Sequence, residues 1–359
     1  MPFEINRKQT RQIHVGDVAV GGSAPISVQS MTNTLTSDVS ATVSQIQQLQ
    51  DAGCEIVRVA VPDSGAAAAI SKIKPQVVVP VIADIHFDYR LAIAAARAGA
   101  DALRINPGNI GQKSKVKAIV DCARDHGIAI RIGINSGSLE KKILKKYHGA
   151  TAEAMVASAM GHLDLMGSLD FGQIKVSLKA SDVARTIAAY RLFSEKSDVA
   201  LHVGITEAGG LFSGLVKSAI GIGTLLAEGI GDTIRVSLTG DPVDEVRAAY
   251  EILKALQIRQ RGLDIISCPT CGRCQIDLIN IVDTIEKATV NYRAPLKVAI
   301  MGCVVNGPGE AKEADFGIAG GDGRGVLFKK GEVVRTFSQD QLVAVLMAEI
   351  DSHERRFPP

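Results

Sequence analysis

Four of the six cysteines fall in two short motifs late in the chain. Cys268, Cys271 and Cys274 form the run CPTCGRC, with two residues between successive thiols, and Cys303 follows in GCVVNGPGE. Thiolates at such spacing ligate zinc or an iron–sulfur cluster. A zinc ribbon carries a second CxxC knuckle, and Cys303 has no such partner. A cubane tolerates one run plus one distant cysteine, with proline beside a ligand, so the spacing favours iron–sulfur over zinc. Four thiols are available to fill such a site. Glu310, on the Gly-Pro-Gly turn beyond Cys303, offers an oxygen ligand instead. An oxygen is weaker and replaceable, which suits iron that must bind substrate. Cys54 opens an apolar strand and Cys122 lies on a helix of apolar periodicity, so both are expected to be buried and inert.

A second set of residues is cationic. Arg58, Arg104, Arg131, Lys175, His202 and Arg235 recur at equivalent places in short β-rich runs such as EIVRVAV, ALRINPG, AIRIGIN and TIRVSLTGD. Strand alternation puts these side chains on one face. Buried charge must be compensated, and the strand-end acids Asp84 and Glu207 are too few for five permanent cations. A ligand with two or three negative charges resolves this, and a diphosphate is the natural candidate, since Arg forks and Lys bind phosphate oxygens in charge-assisted bonds. Asp84, His86, Asn106, Asn109, Asn135, Lys179, Glu207 and Ser237 sit at or just past the carboxyl ends of the runs. Nearby cations favour a neutral imidazole, and His86 is better placed than His202 to touch a ligand. Glu207 is an acid in a site built for an anion, which suits proton donation to a leaving oxygen or orientation of a hydroxyl.

The elements that position these residues follow from the same runs. PISVQSMTN (25–33) supplies a first strand, and helix-like segments such as SDVSATVSQIQQLQDAG separate the later ones. Strands and helices alternate at about 30 residues per unit. Eight βα units in about 250 residues make a (β/α)8 TIM barrel, whose active site lies at the carboxyl ends of the strands. No GxGxxG follows the first strand, so a doubly wound dinucleotide fold has little support. Residues 136–150 form an enlarged loop. The barrel spans 1–258 and RQRGLD (259–264) reads as a linker. A small α/β domain then fills 264–359, with helices near 275–288 and 338–354 and strands near 296–302, 315–319, 325–329 and 332–336.

Composition narrows the class. The chain has 359 residues, 40 Lys+Arg against 38 Asp+Glu, and a net charge of +2, which argues against a bulk nucleic-acid binder. No run of about 18 apolar residues suggests a membrane span, and the start lacks an apolar signal region. The cytoplasm is the expected compartment, where cysteines read as metal or redox ligands before disulfides.

Geometry bears on assembly. After the eighth helix the chain leaves the barrel at the end opposite the mouth; a helix of about 16 residues descends about 24 Å. A cluster acting at the mouth is therefore expected from a second copy, in a head-to-tail homodimer.

The motifs VQSMTNT, ADIHF, LRINPGN, RIGINSGSL, KVSLKASD, HVGITEAGG, IRVSLTGDP, SCPTCGR and MGCVVNGPGEA together resemble those of the bacterial 4-hydroxy-3-methylbut-2-enyl diphosphate synthases, from about residue 10 to the end. The resemblance implies a TIM barrel followed by an α/β domain similar to sulfite-reductase domains. It implies reductive ring opening of 2-C-methyl-D-erythritol 2,4-cyclodiphosphate, with loss of water, in non-mevalonate isoprenoid biosynthesis. It implies a [4Fe-4S] cluster on Cys268, Cys271, Cys303 and Glu310. It places diphosphate binding on Arg58, Arg104, Arg131, Lys179, Arg235 and Ser237. Other substrate contacts fall on Asp84, His86, Asn135, Glu207 and Asn306. Glu207, Glu310 and Asn306 are the implied catalytic residues, with Glu207 protonating the oxygen that leaves as water. Lys179 is thereby favoured over Lys175, which becomes a packing or supporting residue. Cys274 completes the CxxCxxC run and is the thiol that competes with Glu310. The implied donor is reduced flavodoxin or ferredoxin, no flavin or nicotinamide motif being visible. A pterin-type transferase on a phosphate-binding barrel, with a structural metal in the tail, is the alternative.

Overall fold

The computed structural model describes residues 5–303, 309 and 311–357. The chain divides into two units, Met1–Leu256 and Gln257–Pro359.

The first unit opens with a hairpin of β1 (Ile13–Val15) and β2 (Val18–Val20). Eight parallel strands follow and close into a barrel: β3 (Ser27–Met31), β4 (Ile56–Ala60), β5 (Val81–Asp84), β6 (Ala102–Ile105), β7 (Ala129–Asn135), β8 (Ile174–Lys179), β9 (Ala200–Val203) and β10 (Thr233–Ile234). β10 pairs with both β3 and β9, which closes the ring. The returning helices are α1 (Val39–Asp51), α2 (Ser64–Ile73), α3 (Tyr89–Arg97), α5 (Lys113–Asp125), α7 (Ala152–Gly167), α8 (Val183–Lys196), α9 (Leu211–Ala227) and α10 (Pro242–Ala255). Short helices α4 (Pro107–Ile110) and α6 (Lys141–Lys146) lie in the loops after β6 and β7. The repeat thus folds as the TIM barrel expected from it.

Period-two alternation explains the barrel's interior. Ile56, Ile82, Ala102, Ala129 and Ala200 form one apolar cluster with Ile13, Val15 and Val20 of the hairpin. The hairpin therefore plugs the amino-terminal end of the barrel. Gly16, at φ +54, takes the first central position of its turn, where a side chain would be strained. Two residues further along the same faces come Arg58, Asp84, Arg104, Arg131 and His202. The ring of charge is thus the second layer of a core whose first layer is apolar. Most acids at the loop–helix junctions are spent as caps. The side chains of Asp38, Asp63, Asp88, Asp182 and Asp241 each accept a backbone N–H at a helix start.

The second unit is a five-stranded sheet in the order β11 (Leu263–Ser267), β12 (Leu296–Met301), β13 (Phe316–Gly321), β14 (Arg324–Lys329), β15 (Glu332–Ser338). The first three strands are parallel and the last two antiparallel to their neighbours. Helices α11 (Leu278–Thr289) and α12 (Leu342–Glu354) contribute Leu278, Ile285, Leu346 and Ile350 to a core with Val298, Ile300, Phe316 and Ile318. Two expectations shift here. The linker ends earlier than read, because Leu263 and Asp264 already pair with Leu296 and Lys297. The helix after the cysteines starts later, because the Asp277 side chain caps it. Among the described residues no helix is long and apolar enough to cross a membrane.

Candidate active site

A cavity of about 240 Å³ opens at the carboxyl ends of the barrel strands, lined by Arg58, Asp84, His86, Arg104, Arg131, Asn135, Ser177, Lys179, Thr206, Arg235 and Ser237. All nine barrel residues expected to bind substrate, other than Glu207, are in this lining. Each belongs to a strand or its first loop residues, so the barrel itself fixes their relative positions.

Asp84 organises one side of the cavity. Arg104 Nη1 donates to its Oδ1 at 3.1 Å, and Arg58 Nε and His86 Nε2 lie 3.6 and 3.5 Å from its Oδ2. Burial alone would raise the Asp84 carboxyl, but Arg58, the His86 hydrogen bond, Arg104 and Arg131 outweigh it and hold it well below the usual carboxylate range. Arg235 pairs with Glu245 of α10 at 3.2 Å. Met31 Sδ lies 2.9 Å from Arg58 Nη2. Burial pushes the Arg58 guanidinium down to about 10.

Two glycines make room for the cations. A Cβ on Gly133 would lie 2.5 Å from Arg104 Nε, and one on Gly204 would lie 2.6 Å from Lys179 Nζ. Lys179 Nζ is 3.3 Å from His202 Nε2. Burial first, then the charges of Arg131 and Arg235, press the Lys179 amine well below its ordinary value. His202 is fully buried behind Lys179 and does not line the cavity.

The polar inventory of the ring does not close. Arg131 Nε and Nη1, Arg104 Nε and Lys175 Nζ are buried without a hydrogen-bond partner among the described residues. Buried polar groups are almost always paired, and guanidinium donors that converge on one cavity are suited to an anion's oxygens.

Sequence reasoning missed Glu245, Met31, Ser177 and Thr206. Glu245 is the acid that answers Arg235, in addition to the strand-end acids Asp84 and Glu207 that were read as too few for the cations. Its only signal was a place in the first turn of the helix after TIRVSLTGD. Glu207 is exposed on the loop after β9, outside the cavity lining, with its backbone left-handed at φ +54. A non-glycine residue held there marks a site of strain, and such sites cluster where function is. Asn106 is drawn away, its side chain capping α4.

In the second unit the cysteines collect at the carboxyl ends of β11 and β12, which are parallel neighbours. Cys268 is half-buried, and the Gly302 N–H donates to its Sγ at 3.2 Å. Cys303 is half-buried and Cys271 exposed. Cys274 closes a turn onto the Cys271 carbonyl, and its Sγ donates to the Ile276 carbonyl at 3.3 Å. A Cβ on Gly302 would lie 2.6 Å from Cys274 Sγ and 3.5 Å from Cys268 Sγ, so glycine is needed where the thiols crowd. Among the described residues no three ligating side chains converge on one point. Asn306 and Glu310 lie outside the described residues. The donor chemistry, soft thiols at two adjacent strand ends with a backbone N–H on one sulfur, fits an iron–sulfur group. Cys54 and Cys122 are buried as expected. Burial pushes the Cys54 thiol up to about 12.

Fold and site together define a (β/α)8-barrel protein with a cation-lined cavity at the strand ends and a second, thiol-bearing α/β domain. Comparison with known proteins carries this further. Residues 10–250 match the GcpE TIM-barrel domain and residues 264–352 the GcpE protein C-terminal domain. The chain belongs to the GcpE family. It is 59% identical over 345 residues to the 4-hydroxy-3-methylbut-2-en-1-yl diphosphate synthase (flavodoxin) of Geobacter sulfurreducens, covering 96% of this chain and 98% of that one. The protein of the same name from Thermodesulfovibrio yellowstonii is 57% identical, over 96% of this chain and 99% of its own. The transferase alternative gains no support from these matches.

Proposed function

We propose that the chain converts 2-C-methyl-D-erythritol 2,4-cyclodiphosphate to (E)-4-hydroxy-3-methylbut-2-enyl diphosphate by reductive ring opening and dehydration, as an iron–sulfur oxidoreductase of non-mevalonate isoprenoid biosynthesis in the cytoplasm. The observation that carries this reading is the cation-lined cavity with its unpartnered Arg131 and Arg104 nitrogens. The names of the relatives support the product and a flavodoxin donor, with ferredoxin as the other candidate.

Arg58, Arg104, Arg131, Lys179, Arg235 and Ser237 bind the diphosphate and stabilise its charge as the ring opens. Asp84 fixes Arg58 and Arg104, and His86 and Asn135 orient the carbon skeleton. Glu207 holds the proton that goes to the leaving hydroxyl oxygen, and Asn306 steadies that oxygen. Cys268, Cys271, Cys303 and Glu310 would hold a [4Fe-4S] cluster, which supplies electrons singly and one iron free of thiolate. The hydrogen bond from Cys274 Sγ into its own turn supports Glu310 over Cys274 as the fourth ligand.

The working unit is a head-to-tail homodimer. α10 carries the chain away from the barrel mouth. α9 exposes Leu211, Phe212, Val216 and Ile220, and a groove between α9 and α10 is lined by Leu211, Asp244, Arg247 and Glu251. Exposed apolar side chains grouped in this way support an interface, and both signs of charge beside them suit pairing with a second copy of the same face.

The test is anaerobic turnover of the cyclodiphosphate with reduced flavodoxin. Formation of the diphosphate alkenol, lost when the protein is stripped of iron, is the expected result. A colourless zinc protein without reductase activity would overturn the reading.

A further inference from the structure

Lys175 is 0% exposed, and its Nζ has no hydrogen-bond partner among the described residues. It stands in register with Arg131 on β7 and Ala200 on β9, two residues before the cavity-lining Ser177 and four before Lys179. The ionisable groups that act on it are cations or a histidine: Arg131 from β7, Arg58 from β4, and His202 from β9. The two acids of the ring are engaged elsewhere. Asp84 pairs with Arg58 and Arg104, and Glu245 pairs with Arg235.

In such a setting guanidinium groups keep their protons, whereas an amine can release its own. Burial first, then the charges of Arg131 and Arg58, press the Lys175 amine well below its ordinary value. Burial and the neighbouring cations thus both favour its neutral form in the free enzyme. A neutral amine asks little of its surroundings, which agrees with an Nζ that has no partner.

We propose that Lys175 takes up a proton from solvent when the diphosphate occupies the ring above it, so that substrate binding and formation of this ammonium are one linked event. The inference rests on the diphosphate reading of the cavity. The ligand's two negative charges offset those of Arg131 and Arg58. The repulsion that kept the amine neutral falls, and R–NH2 gains H+ with no other bond changed. Lys175 is thus a positioning residue that matches the charge of the site to a dianion.

The experiment is calorimetric titration of the oxidised holoenzyme, without reductant, by 2-C-methyl-D-erythritol 2,4-cyclodiphosphate. Two buffers of different ionisation enthalpy are compared between pH 7 and 9. Each phosphorus of this ligand carries one ester and one anhydride linkage and a single strongly acidic oxygen that stays ionised, so every proton counted belongs to the protein. Wild type is expected to take up protons on binding, and Lys175→Met one fewer per site. Where the uptake occurs, affinity falls about tenfold less per pH unit in the variant. Equal uptake in both proteins, or none in wild type, would overturn the proposal. Lys175→Gln serves if the Met variant does not fold, and the wild-type count alone is decisive if it is zero. Failure of wild type to bind at all would overturn the diphosphate reading, and this inference with it.

Discussion

Asp84 and Arg104 are register partners on the adjacent strands β5 and β6, and Arg104 Nη1 reaches Asp84 Oδ1 at 3.1 Å inside the barrel. Among the described residues, Asp84 is the one acid that lines the cavity. It holds two guanidinium groups in place without neutralising the ring, which leaves the remaining positive charge for a ligand.

Removing that carboxylate leaves buried cations uncompensated, and breaking a buried pair in this way costs about 3–5 kcal/mol. Asp84→Asn should therefore lower the melting temperature and impair substrate binding. The sign of the pH effect follows from the depressed carboxyl. Its stabilisation is complete above the ordinary carboxylate value of about 3.9 and is lost as pH falls below it. Unfolding followed by circular dichroism should show wild type losing its margin over Asp84→Asn below about pH 4.

Arg131→Met should behave in the opposite sense. Two of its guanidinium nitrogens lack partners among the described residues, so a methionine of similar bulk spares an unfavourable burial. The variant is expected to unfold at an equal or higher temperature than wild type while binding the cyclodiphosphate about 10–100-fold more weakly. A lower melting temperature with unchanged affinity would remove Arg131 from the ligand site.

Glu207 separates strain from chemistry. Its left-handed backbone at φ +54 suits glycine, so Glu207→Gly should stabilise the fold by about 1 kcal/mol. Glu207→Gln should keep the fold and KM while lowering kcat about 100-fold or more, as expected for loss of a general acid. Steady-state kinetics beside thermal unfolding distinguishes the two. Unchanged kcat in Glu207→Gln would place the proton donor elsewhere.

The homodimer can be tested by complementation. At substrate concentrations too low to fill its weakened site, Arg131→Met lacks a working barrel, and Cys271→Ser is expected to lack a working cluster. If each site joins one chain's barrel to the other's cluster, mixing the two inactive variants should restore about a quarter of wild-type activity. No recovery in a preparation that demonstrably forms mixed dimers would argue that each chain acts on its own.

The barrel was legible because its charges repeat. Arg58, Arg104, Arg131 and His202 each stand two residues past an apolar inner residue, and that pairing recurs at the spacing of a βα unit. The hairpin plug was not legible, since IHV and VAV are too short to show a period. Glu245 was hidden because it reaches the ring from a helix, and acids in a first helical turn ordinarily belong to the helix. Ser177 and Thr206 are small polar residues whose patterns do not differ from packing positions. Lys175 was visible as a cation but not as an unpartnered one, because pairing is a property of three-dimensional neighbours. The thiol spacing pointed to a metal group. The turn that draws Cys274 Sγ to the Ile276 carbonyl depends on the sheet that β11 and β12 build.

The proposed reductase would hold its cluster on three thiolates and Glu310. The most direct measurement is iron and sulfide content with cyclodiphosphate turnover, on anaerobically prepared wild type, Cys274→Ala and Glu310→Ala. Expected are about four iron per chain in wild type and in Cys274→Ala, with turnover kept in the latter and lost in Glu310→Ala. Loss of iron in Cys274→Ala with full turnover in Glu310→Ala, or zinc in place of iron, would contradict it.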